Sequence, residues 1–165
     1  MAQKNENYYR TIPVGRLGII PHKSCTELGR KVDAYLVKWR CERENSSKNH
    51  LAYDGYRRNT YIIPSQTPRF GSGEAKGIIN ESVRGDDLYI LVDVCNYSLT
   101  YSLCGHENHM SPDDHFQDLK RLIAAVGGKA RRITVIMPFL YESRQHKRSG
   151  RESLDCALAL QELVS

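Results

Sequence analysis

A chain of 165 residues with 40% hydrophobic and 26% charged content has the size of one globular domain with a substantial core. Its 24 basic and 19 acidic side chains leave a net charge of +5, a mild excess that suits small anionic substrates without demanding nucleic acid. No run approaches the roughly 18 apolar residues of a membrane span and residues 1–9 carry no signal-peptide core, so the expectation is a soluble cytoplasmic protein with neither membrane nor nucleic-acid partner.

Residues 15–20 read as a short buried strand, and Ser24-Cys25-Thr26-Glu27 then supplies a Ser-x-x-Glu capping box for a helix. The apolar side of that helix is expected to be Leu28, Val32, Leu36 and Trp39, with an end in the polar run 42–49. Residues 43–58 are rich in Asn, Ser, Lys, Arg and Tyr without periodicity, and read as a loop insertion. Residues 60–63 and 77–79 look like strands flanking the turn Phe70-Gly71-Ser72-Gly73-Glu74, whose two glycines permit positive φ.

Residues 88–92 form a continuous apolar run between charged neighbours, the pattern of a central parallel strand covered on both faces. Ser111-Pro112-Asp113-Asp114 gives an N-cap, a proline at the first helical position and two acids near the positive end of the helix dipole. The helix it opens should bury Phe116, Leu119, Leu122, Ile123 and Val126, and Gly127-Gly128 should close it. Residues 133–137 are the next buried strand, stopped by Pro138, and a basic loop leads to a last helix carrying Leu154, Ala157, Leu158 and Leu163. This alternation of strands and helices predicts an α/β fold, a three-layer domain built on a parallel sheet with ligands at the carboxyl ends of its strands.

Two constellations carry chemistry. Arg144-Gln145-His146-Lys147-Arg148 follows a buried strand, so it lies at the carboxyl edge of the sheet, where guanidinium forks match phosphate oxygens. Arg69-Phe70-Gly71-Ser72-Gly73-Glu74 joins an aromatic ring, a flexible turn and a carboxylate, which could stack on a base and accept from its amine. Each has a bland counterpart: a solvated basic loop for the first, and a hairpin with a core phenylalanine for the second. Five cysteines without C-x-x-C spacing argue for reduced thiols rather than a disulfide framework. Cys104-x-His106-x-x-His109, with His115 and Asp113 or Asp114 nearby, contains zinc-ligand types. A single thiolate and a spacing that fits no closed site leave a polar insertion loop as the reading, with no metal.

The 70–74 motif, followed by Asn80-Glu81-Ser82-Val83-Arg84-Gly85-Asp86-Asp87-Leu88-Tyr89-Ile90, resembles the amino-terminal signature of ribose-phosphate pyrophosphokinases. Pro138 through Arg144-Gln145, and Arg151 with Leu154 and Leu158, are similar to the same family's proline-to-Arg-Gln segment and following helix. The resemblance runs from about residue 15 to the end, interrupted near 43–58 and 97–111. It implies a phosphoribosyltransferase-like domain, residues 1–165 being the amino-terminal nucleotide-binding and assembly half of an enzyme that makes phosphoribosyl pyrophosphate from ATP and ribose 5-phosphate. It further implies that Phe70, Ser72 and Glu74 hold the adenine of ATP bound mainly to a neighbouring subunit, with Arg144 and Gln145 contacting ATP from the home subunit. Ser82, Arg84 and Arg151 are placed by it at a regulatory phosphate or ADP site between subunits. Magnesium would arrive with ATP, its protein ligands lying outside this chain, and the assembly would be a homo-oligomer, from dimer to hexamer.

The chain departs from the family at Ser72, where Asp or Asn is usual, at Glu142-Ser143 in place of Tyr-Ala, and at His146 in place of Asp. Nothing in it matches the family's metal-binding His and Asp, its basic catalytic loop or its ribose-phosphate loop, so the 165 residues alone are expected to be inactive. The rival expectation is a non-catalytic regulatory or scaffolding homologue that keeps the assembly surfaces.

Overall fold

The computed structural model describes residues 13–45 and 58–164, so the 46–57 part of the expected insertion lies outside the described residues. In chain order the elements are β1 (Leu17–Pro21), a 3-10 turn (Lys23–Cys25), α1 (Thr26–Asn45), β2 (Ser65–Gln66), β3 (Ile78–Ile79) and β4 (Asp87–Leu91). They continue with β5 (Thr100–Leu103), β6 (His106–His109), α2 (Pro112–Val126), β7 (Arg132–Ile136) and α3 (Asp155–Val164).

The apolar run at 88–92 is central, as its continuous hydrophobicity requires. β4 pairs in parallel with β1 on one side and β7 on the other, in register Ile20↔Ile90 and Ile90↔Val135. Beyond β1 the chain at 61–63 adds a parallel rung through Ile19 N–H to Tyr61 O and Ile63 N–H to Ile19 O, both 2.8 Å. Alternate residues of the buried strands face opposite layers. Ile20, Leu88, Ile90 and Val92 pack with Phe116, Leu119 and Leu122 of α2 and Ala159 of α3, whereas Ile19, Tyr61, Leu91 and Tyr89 meet Val32, Leu36 and Val37 of α1. The result is the expected three-layer α/β arrangement.

α2 begins as its sequence dictates. The Ser111 hydroxyl accepts from Asp114 N at 3.1 Å while the Asp114 carboxylate accepts from Ser111 N at 2.9 Å, with Pro112 in the first turn. Gly127, at φ 58°, ends it in the left-handed conformation.

Two local expectations are corrected. The Ser24 capping box does not form, because a 3-10 turn precedes the helix and Ser24 lies inside that turn; its buried hydroxyl pairs with His22 Nδ1 at 2.8 Å and accepts from Asp93 N at 3.0 Å. The inner stripe of α1 runs through Gly29, Val32, Asp33, Leu36, Val37 and Arg40, leaving Leu28 and Trp39 on exposed flanks. Gly29 touches Pro21, and Asp33 accepts from Tyr61 N at 2.6 Å, which rotates the helix toward those residues. The strand expected at 77–79 forms at Ile78–Ile79, in a separate antiparallel ribbon with β2 that pairs Ser65↔Ile79 and Gln66↔Ile78.

That ribbon sits hard against α2. A Cβ on Gly77 would lie 2.3 Å from Arg121 O and 2.6 Å from its carbonyl carbon, rigid helix backbone that cannot swing aside. Gly77→Ala is therefore expected to cost about 1–3 kcal/mol by overpacking. Urea unfolding checks it, and an unchanged midpoint would show that the ribbon is free to move away from α2.

Candidate nucleotide site

The 70–74 segment is a tight reversal. Phe70 N–H donates to Glu74 O at 2.7 Å, Gly73 N–H returns to Phe70 O at 2.9 Å, and Arg69 and Ala75 form a bridge beneath. Gly73 takes φ 89°, which a side chain would strain. Phe70 is 52% exposed, so it is no core phenylalanine, and the exposed Ser72 hydroxyl donates to Glu74 Oε2 at 2.9 Å. An exposed ring and an oriented carboxylate share one tight turn, as stacking on a base and accepting from an amine both need.

Arg69 anchors this turn from within. Its guanidinium donates to Gly73 O at 2.8 Å and to Asp118 Oδ2 at 3.2 Å, lies 3.4 Å from Asp114 Oδ1, and stacks over the Tyr101 ring at 4.5 Å. Asp118, buried in α2, also accepts from Arg121 at 2.7 Å and faces His22 Nε2 at 3.6 Å. Burial alone would push the Asp118 carboxyl up, but His22, Arg121 and Arg69 together hold it below its ordinary value. His22 Nδ1 accepts from Ser24 N, which leaves its Nε2 proton directed at Asp118. His115 meets the His22 ring edge-on at 5.5 Å and donates through Nε2 to Asn96 O at 2.8 Å; burial lowers its pKa. No sequence signal pointed to this cluster.

The basic constellation lies where expected, after the carboxyl end of β7. Tyr141 stacks on Phe116 with ring centroids 4.2 Å apart and donates to Asp113 Oδ1 at 2.7 Å, so burial and the Asp113 contact both push its hydroxyl pKa up. From that anchor the chain turns through Glu142 at φ 55° and presents Arg144 to solvent. Arg144, Lys147, Arg148 and Arg151 make no hydrogen bond or ion pair among the described residues, so their charge is free for an anionic ligand. Gln145 ties the loop to the start of α3, its amide donating to Ser153 O at 2.8 Å and its backbone carbonyl accepting from Cys156 N at 3.3 Å. His146 Nδ1 donates to Ser143 O at 2.8 Å. Glu152 closes the loop against Ser149, whose backbone N–H chiefly holds the Glu152 pKa down to about 2.

Neither group of expected contacts closes within one chain. No hydrogen bond, ion pair or ring contact among the described residues joins Phe70, Ser72 or Glu74 to Arg144 or Gln145. Ser82 and Arg84 precede β4, at the amino edge of the sheet, whereas Arg151 follows β7 at the carboxyl edge. Ser82 is exposed and its carbonyl accepts from Arg16 at 3.2 Å, Arg16 being paired in turn with Asp86 through two bonds of 2.9 and 3.0 Å. Arg84 is exposed and makes no such bond among the described residues.

The segment at 97–111, read as a polar loop, is a β-hairpin. Cys104 and Gly105 take φ 49° and 84° at its tip, the paired positive values of a two-residue reversal. Alternation at 100–103 followed by a residue-Gly pair was the signal available for it. His109 engages Tyr97 O through Nδ1 at 2.8 Å and stacks on the Tyr97 ring, and among the described residues no three His, Cys, Asp or Glu come together to hold a metal.

Comparisons with known proteins bear on this geometry. The family model described as the N-terminal domain of ribose phosphate pyrophosphokinase matches residues 17–165. Ribose-phosphate pyrophosphokinase B of Dictyostelium discoideum is 32% identical over 102 residues, which are 61% of this chain and 27% of that protein. The crystal structure of phosphoribosylpyrophosphate synthetase from Mycobacterium smegmatis superposes with a TM-score of 0.59 at 23% identity, a likeness of fold over 90% of this chain and 39% of that one. The chain thus spans well under half the length of either relative.

Proposed function

Since the chain belongs to the family of N-terminal domains of ribose phosphate pyrophosphokinase, we propose that it binds ATP for transfer of the β,γ-diphosphoryl group to the 1-hydroxyl of ribose 5-phosphate, giving phosphoribosyl pyrophosphate and AMP. Phe70 stacks on adenine, Glu74 accepts from its exocyclic amine, and Ser72 orients Glu74. Arg144 draws the triphosphate to the carboxyl edge, and Gln145 shapes the loop that carries it. The chain's share of catalysis is positioning and charge stabilisation, with no general base. The observation that carries this reading is the separation of the two groups: an exposed ring and carboxylate on one turn and an arginine on another loop, with no hydrogen bond, ion pair or ring contact between them among the described residues. Each is half a site, which two chains of a homo-oligomer complete. Ser82 and Arg84 of one chain and Arg151 of another form the regulatory phosphate or ADP site in the same manner.

Titration calorimetry with MgATP on the intact protein tests the assignment. Phe70→Ala is expected to weaken binding about tenfold, as loss of one base-stacking ring does. Because a ligand shared by two chains favours the assembled form, ATP is also expected to raise the sedimentation coefficient. Binding that ignores Phe70 removes the ring from the site.

A further inference from the structure

We infer that the β5–β6 hairpin is the positioning element of the base pocket, with Tyr101, Leu103 and Cys104 holding the 70–74 turn in its binding shape. The inference rests on the nucleotide reading above and deepens it.

The turn has little to hold its own tip, because Phe70, Gly71, Ser72 and Glu74 are all exposed or half-buried and two of the five residues are glycine. Among the described residues, its hydrogen bonds to the rest of the protein are the Arg69 bond to Gly73 O and those from the hairpin. Cys104 N–H donates to Gly71 O at 3.1 Å, and the Cys104 thiol lies 3.8 Å from the same oxygen. Leu103 Cδ1 lies 3.0 Å and Tyr101 Cε2 3.8 Å from the position a Cβ on Gly73 would take, so both side chains close over that glycine. The Tyr101 ring carries the Arg69 guanidinium, which bonds Gly73 O.

The hairpin is itself braced. Thr100 Oγ1 donates to Glu107 Oε1 at 2.7 Å across the strands, and Tyr97 stacks on His109 with centroids 4.2 Å apart. A braced hairpin tip bonded to a glycine-rich turn removes conformers that a base would otherwise have to select against, so it raises affinity without touching the ligand. Its action should therefore be specific to the base. A ligand with phosphates and no base does not use Phe70 or Glu74 and gains nothing from the ordered turn.

The test titrates the intact protein with MgATP and with magnesium tripolyphosphate. Variants are Tyr101→Ala/Leu103→Ala, Leu103→Ala alone, Tyr101→Phe and Phe70→Ala, with thermal unfolding recorded for each. The double variant is expected to weaken ATP about fivefold and to leave tripolyphosphate unchanged, with Leu103→Ala intermediate and Tyr101→Phe close to the parent. Equal losses for both ligands would mean general damage to the fold and would overturn the inference. So would an unchanged ATP affinity in the double variant while Phe70→Ala still weakens it. If Phe70→Ala is without effect as well, the base site itself is misplaced and the inference goes with it.

Discussion

Arg69→Ala is expected to destabilise the fold by about 3–5 kcal/mol, the cost of removing one partner from a buried ion pair and leaving the other charge behind. The Arg69 side chain is 9% exposed and that of Asp118 1%, so water cannot take over the lost contacts. Arg121 and His22 remain beside Asp118, which keeps the loss from running higher, but Asp114, Gly73 O and the Tyr101 ring lose their partner at the same time. For a domain of this size the melting temperature should fall by about 10 °C. Arg69→Lys keeps the charge without the fork and should recover only part of it.

The pH dependence has a defined sign. Asp118 and His115 both have folded pKa values below their ordinary 3.8 and 6.5. In each case the unfolded chain binds its proton first as pH falls, so stability is complete above the ordinary value and drains away below it. Loss from His115 begins as pH drops through 6.5, and loss from Asp118 follows below 3.8. His115 is faced by His22, Asp118, Asp114 and the Asn96 carbonyl, and burial outweighs the acids among them. Removing Arg69 takes away one charge that holds Asp118 down, so the acid transition of Arg69→Ala should move to higher pH. Urea unfolding from pH 8 to pH 3 reads both effects. A loss under about 1 kcal/mol with an unmoved acid limb would mean that Arg121 and His22 alone satisfy Asp118.

What could be read from the sequence follows what is local in it. β4 needed only its continuous apolar run, and α2 only Ser111, Pro112 and the period of Phe116, Leu119 and Leu122. Both signals lie within a few residues of the element they specify. The α1 stripe was misplaced at its ends because Leu28 and Trp39 fit helical periodicity as well as the true inner residues do. Only contacts with Pro21 and Tyr61, outside the helix, decide the rotation. The Ser24 box failed for the same reason: Asp93, 69 residues away, competes for the hydroxyl that a helix start would use.

The candidate site divides in the same way. Phe70 and Glu74 stand on a glycine turn as the two glycines suggested, but spacing alone favoured a core phenylalanine where the structure has an exposed ring; among the described residues Arg144 stands unpaired at the carboxyl edge. Gln145, which the resemblance expects beside ATP, donates one amide N–H to Ser153 O, eight residues away, a contact its sequence position did not announce. The Arg69–Asp118–His22 cluster was not legible, because it gathers one residue each from the turn, α2 and the end of β1. Nothing in any one of those segments marks its residue as buried.

The largest functional effect is expected from Arg144→Ala, which should lower turnover of the intact protein at least about tenfold, as loss of a positioned cation at a transferring phosphoryl group does. Its neighbours do not replace it: Lys147 and Arg148 are farther along an exposed loop, whereas Arg144 closely follows the segment fixed by the Tyr141–Phe116 stack. Phe70→Ala should be defective for a different reason, weak binding of the base. If the two residues serve one site from different chains, the two defects complement each other. In an equal mixture with free exchange, a site draws Phe70 from one variant and Arg144 from the other independently, so about a quarter of sites are intact in both halves. Recovered activity near a quarter of the parent's, well above either variant alone, is the expected reading after subunit exchange. A site built within one chain gives no intact combination, and the mixture stays at the average of the two variants. That second outcome, with exchange demonstrated by a tagged subunit, would return Phe70 and Arg144 to the same chain and remove the shared pocket.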